Sequence, residues 1–487
     1  MRDIKLKLEP FDFISVLDCE IYKSLNNHSL LKFVCRISPD QEQIIMNTNI
    51  SYMPIKLKMS NEDEVESIIF SGIIKDFSIK KVGDTRVLSL NGISNTYLMD
   101  IVKKTRVFQD PSSTYEDILN YISNYHDYKF IMNIGSNTSI ERLIVQYNET
   151  DFEFIKRLAS HFNTSISPAY LTDGVKYFFG LPQSTKNFVL KDDYVIRKEL
   201  IEDLRKDSEQ LPFSIDKGAT IIEMVSRNIY DIGDYTLFNG QEFLICSVET
   251  KYVGNELKHK YILKENLGQY VSKYYNANII GASISAIINE VSSDKVKVYI
   301  MEDGIQNSKK WFSFSTVYSS PDGTGWYCMP EIGDNVRLYF PTEKEHHGYV
   351  ISAVHLECNN SNQNMFNQSS VNLSQSGGNS TSQSEVPRSN PDNKSLKSKH
   401  GKEVLFTPNS VVFTNNNGMR IEILDDEGIF IMSDKKVSIT SDEQIDIVSM
   451  NESINIDASE SILLEQIDSK IEIKDEIKLT GVKTRIE

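Results

Sequence analysis

The chain has 487 residues, of which 40% are hydrophobic and 25% are charged, and its formal net charge is −16 at pH 7. This length allows three or four domains, and the composition is typical of a soluble globular protein. The acidic balance disfavours contact with phosphate backbones, so we expect no nucleic-acid partner. No apolar run reaches the roughly 18 residues of a membrane-spanning helix, and the N-terminus lacks a signal-peptide core. We therefore expect assembly in the cytoplasm, without a signal peptide.

The cysteines do not form a recognisable framework. They are scattered, they form no CxxC pair, and their number is odd: Cys19, Cys35, Cys246, Cys328 and Cys358. A disulfide scaffold or a zinc site would need regular spacing, so we expect free thiols, mostly buried in strands.

Residues 1–275 read mainly as strands, starting with runs such as Ile4–Leu8 and Leu31–Ile37. An internal echo links two stretches of this region, Phe70–Leu90 and Phe243–Leu263. Each reads strand, Val-Gly-Asp/Asn turn, strand, and glycine permits the positive φ of a tight hairpin. The echo indicates two related β-domains with a further segment inserted between them.

The inserted segment contains two predicted helices, Tyr115–Asn124 and Phe152–Phe162. Apolar residues recur at helical spacing in both, as in the buried stripe of a packed helix. Thr114 precedes the first helix as an N-cap, and Thr150 with Glu153 has capping-box spacing before the second.

The sequence pattern changes twice in the second half of the chain. Residues 278–358 read as short alternating strands. Residues 359–400 are dominated by Asn, Ser and Gln and predict a flexible linker, because they have little apolar surface to bury.

From Val404 onward, apolar residues recur in i, i+2 pairs about every eight positions. The spacing places both members of a pair on one face of a strand, while polar turn residues separate the pairs. After Val404/Phe406 and Val411/Phe413, the predicted core residues are Ile421, Ile423, Ile429, Ile431, Val437, Ile439, Ile445, Ile447, Ile454, Ile456, Ile462, Leu464, Ile471, Ile473, Ile477 and Leu479.

A single chain with one apolar wall has nothing to close its core, whereas three chains wound together would enclose these residues in a triangular prism. The alternatives are a single-chain β-solenoid or a disordered polar repeat, and the strict placement of Ile, Val and Leu argues against disorder. Residues 401–487 hold nine basic and eighteen acidic residues, a net charge of −9 that would lie on the outside.

Two motifs and the repeat together resemble the VgrG family, the fused hub-and-needle spike of type VI secretion and of contractile phage-tail-like particles. The first motif is RLIVQYNETDFEFIKRLASHF, residues 142–162, which is similar to the family's QYxE[ST]D[FW]xF signature. The second is WYCMPEIGDNVRLYFP, residues 326–341, which resembles the oligonucleotide/oligosaccharide-binding (OB) barrel of these spikes. The repeat is similar to needle helices but lacks their usual glycines.

The resemblance implies a mainly β architecture with an α+β insertion. Residues 1–275 would be a hub of two tube-like β-barrels, with the insertion around 110–185. Residues 278–358 would be an OB-fold collar, residues 359–400 a linker, and residues 401–487 a trimeric intertwined β-helix that serves as the needle.

The resemblance also implies partners and a mechanical role. A homotrimer would present six similar barrels to a hexameric tail tube protein, contact baseplate proteins, and carry a separate PAAR-like tip protein on its blunt needle end. Such a spike is part of a tail-like particle, whether a virion, a released particle or a cell-anchored system, and it is driven through the target envelope.

We expect no enzyme activity, no cofactor and no metal. GxSxG, HExxH, Walker A and GxGxxG motifs are absent from the sequence. His346 and His347, with Glu343 and Glu345, could form a metal cluster, but we expect a solvated hairpin tip. The aromatic residues of the collar, such as Trp311 and Phe312, are predicted to be core.

Two other functions remain open at this point. A tail-associated peptidoglycan hydrolase would need a catalytic domain, for which the 359–400 gap is too short. A trimeric adhesin or tail fibre would not need the hub-like first part.

Overall fold

The computed structural model describes residues 4–60, 65–183, 186–198, 220–265, 270–302, 304, 309–317, 328–352, 392–398, 400–415, 417–467 and 469–473. The chain divides into two units, Met1–Asn359 and Asn360–Glu487. The fold is mainly β, as predicted.

The first unit begins with a strand-rich region interrupted by helices. Residues on its strands alternate between buried and exposed, as in β3, because successive side chains point to opposite faces. Its elements are β1 (Lys5–Glu9), β2 (Ser15–Ser24), β3 (Leu30–Ile37), α1 (Pro39–Asn47), β4 (Pro54–Ser60), β5 (Glu66–Val82), β6 (Thr85–Ser94), a 3-10 helix (Asn95–Asp100), β7 (Lys104–Phe108), α2 (Tyr115–His126), β8 (Lys129–Met132), β9 (Ile144–Glu149), α3 (Asp151–Ser160), β10 (Ile166–Pro168), β11 (Lys176–Phe179), β12 (Tyr194–Lys198), β13 (Thr220–Ser226), β14 (Tyr235–Phe238), β15 (Gln241–Val253) and β16 (Glu256–Glu265).

One sheet of eleven strands joins the two β-domains predicted for the hub. Its order is β1-β4-β5-β6-β3-β2-β15-β16-β13-β12, with β14 also paired to β15. The first half contains β4-β5-β6-β3-β2 and the second β14-β15-β16-β13-β12. The two halves therefore have the same strand order, and antiparallel pairing between β2 and β15 links them.

The echo in the sequence corresponds to the two long hairpins β5–β6 and β15–β16. Their turns contain Gly83 and Gly254, with φ of +59° and +60°. Each hairpin also has a register shift, after Ile74 in the first and after Ile245 in the second, nine positions before the turn glycine. A shared bulge position is a specific backbone feature, so the two halves of the sheet repeat the same local arrangement.

The inserted segment has its own core beneath two capped helices. Both predicted helices are confirmed as α2 and α3, and each has a complete capping box, at Thr114 with Asp117 and at Thr150 with Glu153. Small sheets of β10-β11-β8 and β7-β9 accompany them. Phe154, buried in α3, packs in this core.

The collar region is a five-stranded sheet with the order β19-β18-β17-β20-β21. Phe314, just after β19, forms a parallel bridge to Val350 in β21, so the first and last strands of this order meet. The strands are β17 (Ser283–Ser292), β18 (Lys295–Ile300), β19 (Phe312–Ser313), β20 (Asn335–Tyr339) and β21 (Tyr349–Ser352).

The second unit contains a five-stranded antiparallel meander and a separate hairpin. The first meander strand, β22, lies within the segment predicted to be linker. The strands are β22 (Lys394–Lys397), β23 (Glu403–Thr407), β24 (Ser410–Thr414), β25 (Arg420–Leu424), β26 (Gly428–Met432), β27 (Ile462–Gln466) and β28 (Ser469–Ile473).

Cys19 and Cys35 are buried free thiols, as expected, and Cys246 is half-buried, but Cys328 is exposed. Cys358 lies outside the described residues. Over the part of the chain that the structure describes, no helix has both the length and the apolar character needed to cross a membrane.

Candidate functional site

The signature segment forms a buried junction at the centre of the first unit. Strand β9 runs directly into α3, and Thr150 caps the helix between them. The Glu153 amide donates to Thr150 Oγ1 at 3.1 Å, and the Thr150 amide donates to Glu153 Oε2 at 3.0 Å. This reciprocal cap fixes the direction in which α3 presents its polar side chains.

The guanidinium of Arg157, in α3, donates hydrogen bonds to three residues. Nε and Nη2 donate to the two oxygens of Glu149 at 2.9 and 2.8 Å, and Nη2 also donates to the Val145 carbonyl at 2.7 Å. Nη1 donates to Oε1 of Glu345, in the collar, at 2.6 Å. Burial alone would lower the pKa of Arg157, but the charges of Glu345 and Glu149 outweigh it and raise the pKa, so the group stays charged.

A second buried ionic cluster lies at the start of α3, around Asp151. Asp151 accepts from Arg106 at 2.6 Å and from Lys104 at 2.7 Å, while Gln146 donates to Asp151 at 3.1 Å and accepts from Arg106 at 2.8 Å. Burial raises the pKa of Asp151, but the hydrogen bond from Lys104 and the charge of Arg106 outweigh it and hold the pKa below the ordinary value. The Asp151 carboxylate is therefore ionised, and its charge is paired with Arg106 and Lys104.

The junction reaches the first half of the hub through Asp100. Thr150 Oγ1 donates to one carboxylate oxygen of Asp100, and His28 Nε2 lies 2.9 Å from the other. The His28 ring also lies over Phe152 of α3, with ring centroids 4.0 Å apart. The loop between β2 and β3 is thereby tied to the start of α3.

The segment leading into the collar is tied to the same helix. The Tyr274 amide donates to Ser160 Oγ at 2.9 Å, and Asn276 Nδ2 donates to the Tyr147 carbonyl at 2.7 Å. Val107 and Val145, from β7 and β9, pack in one core with the collar strands. The hub, the insertion and the collar therefore meet around one helix.

These contacts make the junction a structural joint rather than an acid–base centre. Its acids and bases pair with one another, and His161, half-buried at the end of α3, has Nδ1 2.9 Å from the Tyr115 hydroxyl. Burial, with Arg157 and Lys273 nearby, lowers the pKa of His161 to about 4. A neutral, half-buried imidazole contributes to packing and one hydrogen bond.

His346 and His347, which were expected at a solvated hairpin tip rather than in a metal cluster, directly follow Glu345 in the chain. No group of metal-ligating side chains occurs among the described residues. Glu345 is buried against Arg157 and His347 Nδ1 lies 3.0 Å from Thr342 Oγ1. The expectation of a solvated hairpin tip was therefore wrong for Glu345, because this side chain is buried in an ion pair with Arg157. Arg157 lies 188 residues away in the sequence, so the residues near Glu345 do not indicate it. Phe312 is buried, as predicted, whereas Trp311 is only half-buried.

The second unit presents the aliphatic residues of the repeat on one face of its meander. Strand register places the predicted pairs directly opposite one another. Two continuous rows result: Val404, Phe413, Ile421 and Ile431 in one, and Phe406, Val411, Ile423 and Ile429 in the other. Ile421 is 42% exposed and Ile429 is 69% exposed, so the rows are uncovered within one chain.

The later pairs of the repeat are placed less uniformly. Ile462 lies opposite Ile473 and Leu464 opposite Ile471 in the β27–β28 hairpin. Six further residues lie outside assigned strands and are all exposed: Val437, Ile439, Ile445, Ile447, Ile454 and Ile456. Ile477 and Leu479 lie outside the described residues. The role of these residues as a trimer interface stays a prediction.

In chain order, the described residues contain a sheet with two similar halves, a small five-stranded sheet and a repeat with one apolar face. The chain is similar to a chain of the Francisella PdpA–VgrG complex in its half-lidded form, with 10% identity, a TM-score of 0.52 and 88% of each chain covered. The lidded form matches with 11% identity, a TM-score of 0.51 and coverage of 89% of this chain and 80% of that one. The lidless PdpA–VgrG complex gives 10% identity, a TM-score of 0.50 and coverage of 88% and 98%.

The predicted resemblance to VgrG is confirmed at the level of the fold. No protein-family model matches the sequence. A search of curated proteins also finds no match. The likeness therefore lies in the backbone arrangement, while the residues that fill it differ.

Proposed function

We propose that this chain is the structural hub-and-needle spike of a contractile injection system, acting as a homotrimer. The observation that carries the proposal is the pair of aliphatic rows on the meander sheet. Exposed rows of Ile, Val and Phe cost free energy in water, and a threefold arrangement covers the same face of each chain with its neighbours. The acidic residues between the pairs then lie outside and keep the assembly soluble.

The duplicated hub supports a role as symmetry adaptor. Each chain carries two halves with one strand order, so three chains present six similar surfaces. A hexameric tail tube protein is the partner that such a ring fits, with baseplate proteins around it. The solved structures that this chain resembles are complexes of VgrG with PdpA, which supports assembly of this chain with further proteins.

The buried junction supports a mechanical role for the collar. We propose that residues 278–358 form the OB-fold collar and that force from the tube passes through α3 and Arg157 into it. The needle of residues 401–487 would then enter the target envelope, capped by a PAAR-like tip protein. The chain would assemble in the cytoplasm and act as part of a tail-like particle.

Electron microscopy of particles from the producing cell tests this proposal. An antibody against residues 392–487 is expected to label one end of each particle, at the baseplate. Labelling along the sheath or tube, or of free protein alone, would contradict it. A zymogram of the purified chain is expected to show no clearing of peptidoglycan, and a clearing zone would favour a hydrolase instead.

A further inference from the structure

A cavity of about 590 Å³ lies between the insertion and the second half of the eleven-stranded sheet. The segments that follow β8, α3 and β11 supply one wall, which includes Asn133, Asn163 and Leu181, and strands β14 and β15 supply the other. Tyr270, in the segment that leads to the collar, lines the cavity as well. Small-molecule sites in proteins have volumes of roughly 300–1,000 Å³, so the cavity has the size of a ligand site.

Hydrogen bonds within the chain hold the wall segments in place. Asn133 Nδ2 donates to the Leu181 carbonyl at 2.8 Å, so the segments after β8 and β11 are joined. Asn163 Nδ2 donates to the Val271 carbonyl at 3.0 Å, and the Val271 amide donates back to the Asn163 carbonyl at 3.1 Å. The segment after α3 is thereby joined to the chain that leads to the collar. The cavity is therefore formed by the fold itself and needs no ligand to shape it.

The charge of the lining residues argues against an anionic ligand. Among the described residues that line the cavity, Glu242 is the only charged one, and none is Lys, Arg or His. Phosphate and carboxylate ligands are held mainly by Arg, by Lys or by the amides of a helix N-terminus. An anion in this cavity would have no cationic partner and would be repelled by the Glu242 carboxylate.

The uncharged polar groups of the lining favour a ligand with several hydroxyl groups. Because Nδ2 of Asn133 and of Asn163 is used inside the chain, each residue retains Oδ1 as an acceptor. Neither Oδ1 atom has a hydrogen-bond partner among the described residues. Thr164 and Gln183 also line the cavity, and their hydroxyl and carboxamide groups can both donate and accept.

Two tyrosines add apolar surface to this polar lining. Tyr235 and Tyr270 line the cavity and are half-buried, so part of each side chain is accessible. A tyrosine offers an apolar ring together with a hydroxyl group. A sugar has the complementary chemistry, because its ring carries hydroxyl groups at the edge and C–H groups on its faces. A lipid chain would instead leave the amides and hydroxyls of the wall without partners.

We propose that this cavity binds a short neutral oligosaccharide. Asn133, Asn163 and Glu242 accept hydrogen bonds from its hydroxyl groups, while Tyr235 and Tyr270 contact its ring faces. Glu242 is exposed, which places its carboxylate at the mouth of the cavity, where the outer sugar units lie.

Saturation-transfer NMR on the full-length chain tests the class of ligand. The probes are three neutral trisaccharides, maltotriose, cellotriose and chitotriose, with spermidine as a cationic comparator and citrate as an anionic one. At least one trisaccharide is expected to receive saturation from the protein, and citrate is expected to receive none. If no trisaccharide receives saturation, or if only spermidine or citrate does, the proposal is wrong.

Two variants test whether the sugar binds in this cavity. Thr164→Trp fills the cavity with a large side chain and is expected to abolish saturation transfer. Glu242→Ala removes one exposed acceptor and is expected to weaken binding about tenfold in a calorimetric titration, the effect of one hydrogen bond to a charged group. Gln241→Ala changes the neighbouring exposed residue, which does not line the cavity, and is expected to bind as the wild-type chain does.

Thermal denaturation of the variants shows whether each one is folded. Glu242→Ala alters an exposed side chain, so it keeps the test decisive even if Thr164→Trp fails to fold. Equal sugar affinity in Glu242→Ala, Gln241→Ala and the wild-type chain would place the binding elsewhere and overturn the proposal.

Discussion

Arg157 in α3 donates to Glu345 in the collar at 2.6 Å, and both side chains are buried although 188 residues separate them. The same guanidinium holds Glu149 at the end of β9. One cation therefore neutralises two buried carboxylates that belong to different parts of the first unit. A joint of this kind resists separation of the collar from the insertion, because opening it would leave unpaired charges in a dry environment.

We predict that Arg157→Met destabilises this joint by about 3–5 kcal/mol, since it leaves Glu149 and Glu345 buried without a counter-charge. Native-state hydrogen exchange at the amides of α3 and of residues 345–347 measures the opening free energy. The control is Arg227→Met: Arg227 is 73% exposed and pairs with Glu256 at 2.8 Å. Its effect is expected to stay within about 0.5 kcal/mol.

A double-mutant cycle isolates the contact across the joint. Glu345→Gln should cost far less in the Arg157→Met background than in the wild-type chain, because its partner is already gone. Additive effects of the two substitutions would show that the Arg157–Glu345 contact carries no coupling.

We predict that Ile423→Lys prevents assembly of the repeat, because it places a charge in each of three chains on the aliphatic rows. Glu422→Lys, the neighbouring residue on the opposite face, is the matched control and should assemble normally. Sedimentation of both variants measures the result. Equal behaviour of the two variants would contradict the assigned face.

We predict that two histidines, the half-buried His161 and the buried His259, make the first unit less stable as pH falls from 6.5 towards 4. Burial, followed by nearby cations, lowers the pKa of His161 and of His259 to about 4, while the unfolded chain has a histidine pKa of about 6.5. Between these values the unfolded state binds more protons, so stability is complete above pH 6.5 and is lost on acidification. Each histidine is expected to lower the free energy of unfolding by about 2 kcal/mol as the pH falls from 6.5 to 5.

The pH dependence is checked by denaturant unfolding at several pH values. His161→Phe/His259→Phe is expected to have a flatter profile than the wild-type chain, even if it is less stable throughout. His400→Ala changes an exposed residue and should keep the wild-type slope. A double variant with an unchanged slope would refute the assignment.

Local features of this fold could be predicted from the sequence. The N-cap at Thr114 and the capping box of Thr150 with Glu153 are local features, so the residue types at these positions are sufficient to predict the helix starts. The glycine turns of the two long hairpins and the one-sided pairs of the repeat are also short-range patterns. Each of them was recognisable without knowing what packs against it.

Contacts between distant residues could not be predicted in this way. Nothing in the sequence near Glu345 indicates that its partner is Arg157, and the residues in between supply no pattern. The pairing of β2 with β15 joins strands more than 200 residues apart. The weak similarity between residues 70–90 and 243–263 indicates two related β-domains but not which of their strands pair. Lys104 and Arg106 both donate to Asp151, and two basic residues so close together in the sequence are a signal for an acidic partner.

The most direct test of the central claim is the mass of the full-length chain in solution. We predict that sedimentation equilibrium or native mass spectrometry finds a species of three times the 55.7 kDa chain mass, stable on dilution. A soluble, monodisperse monomer of the full chain would contradict the account, because it would show that the aliphatic rows need no partner.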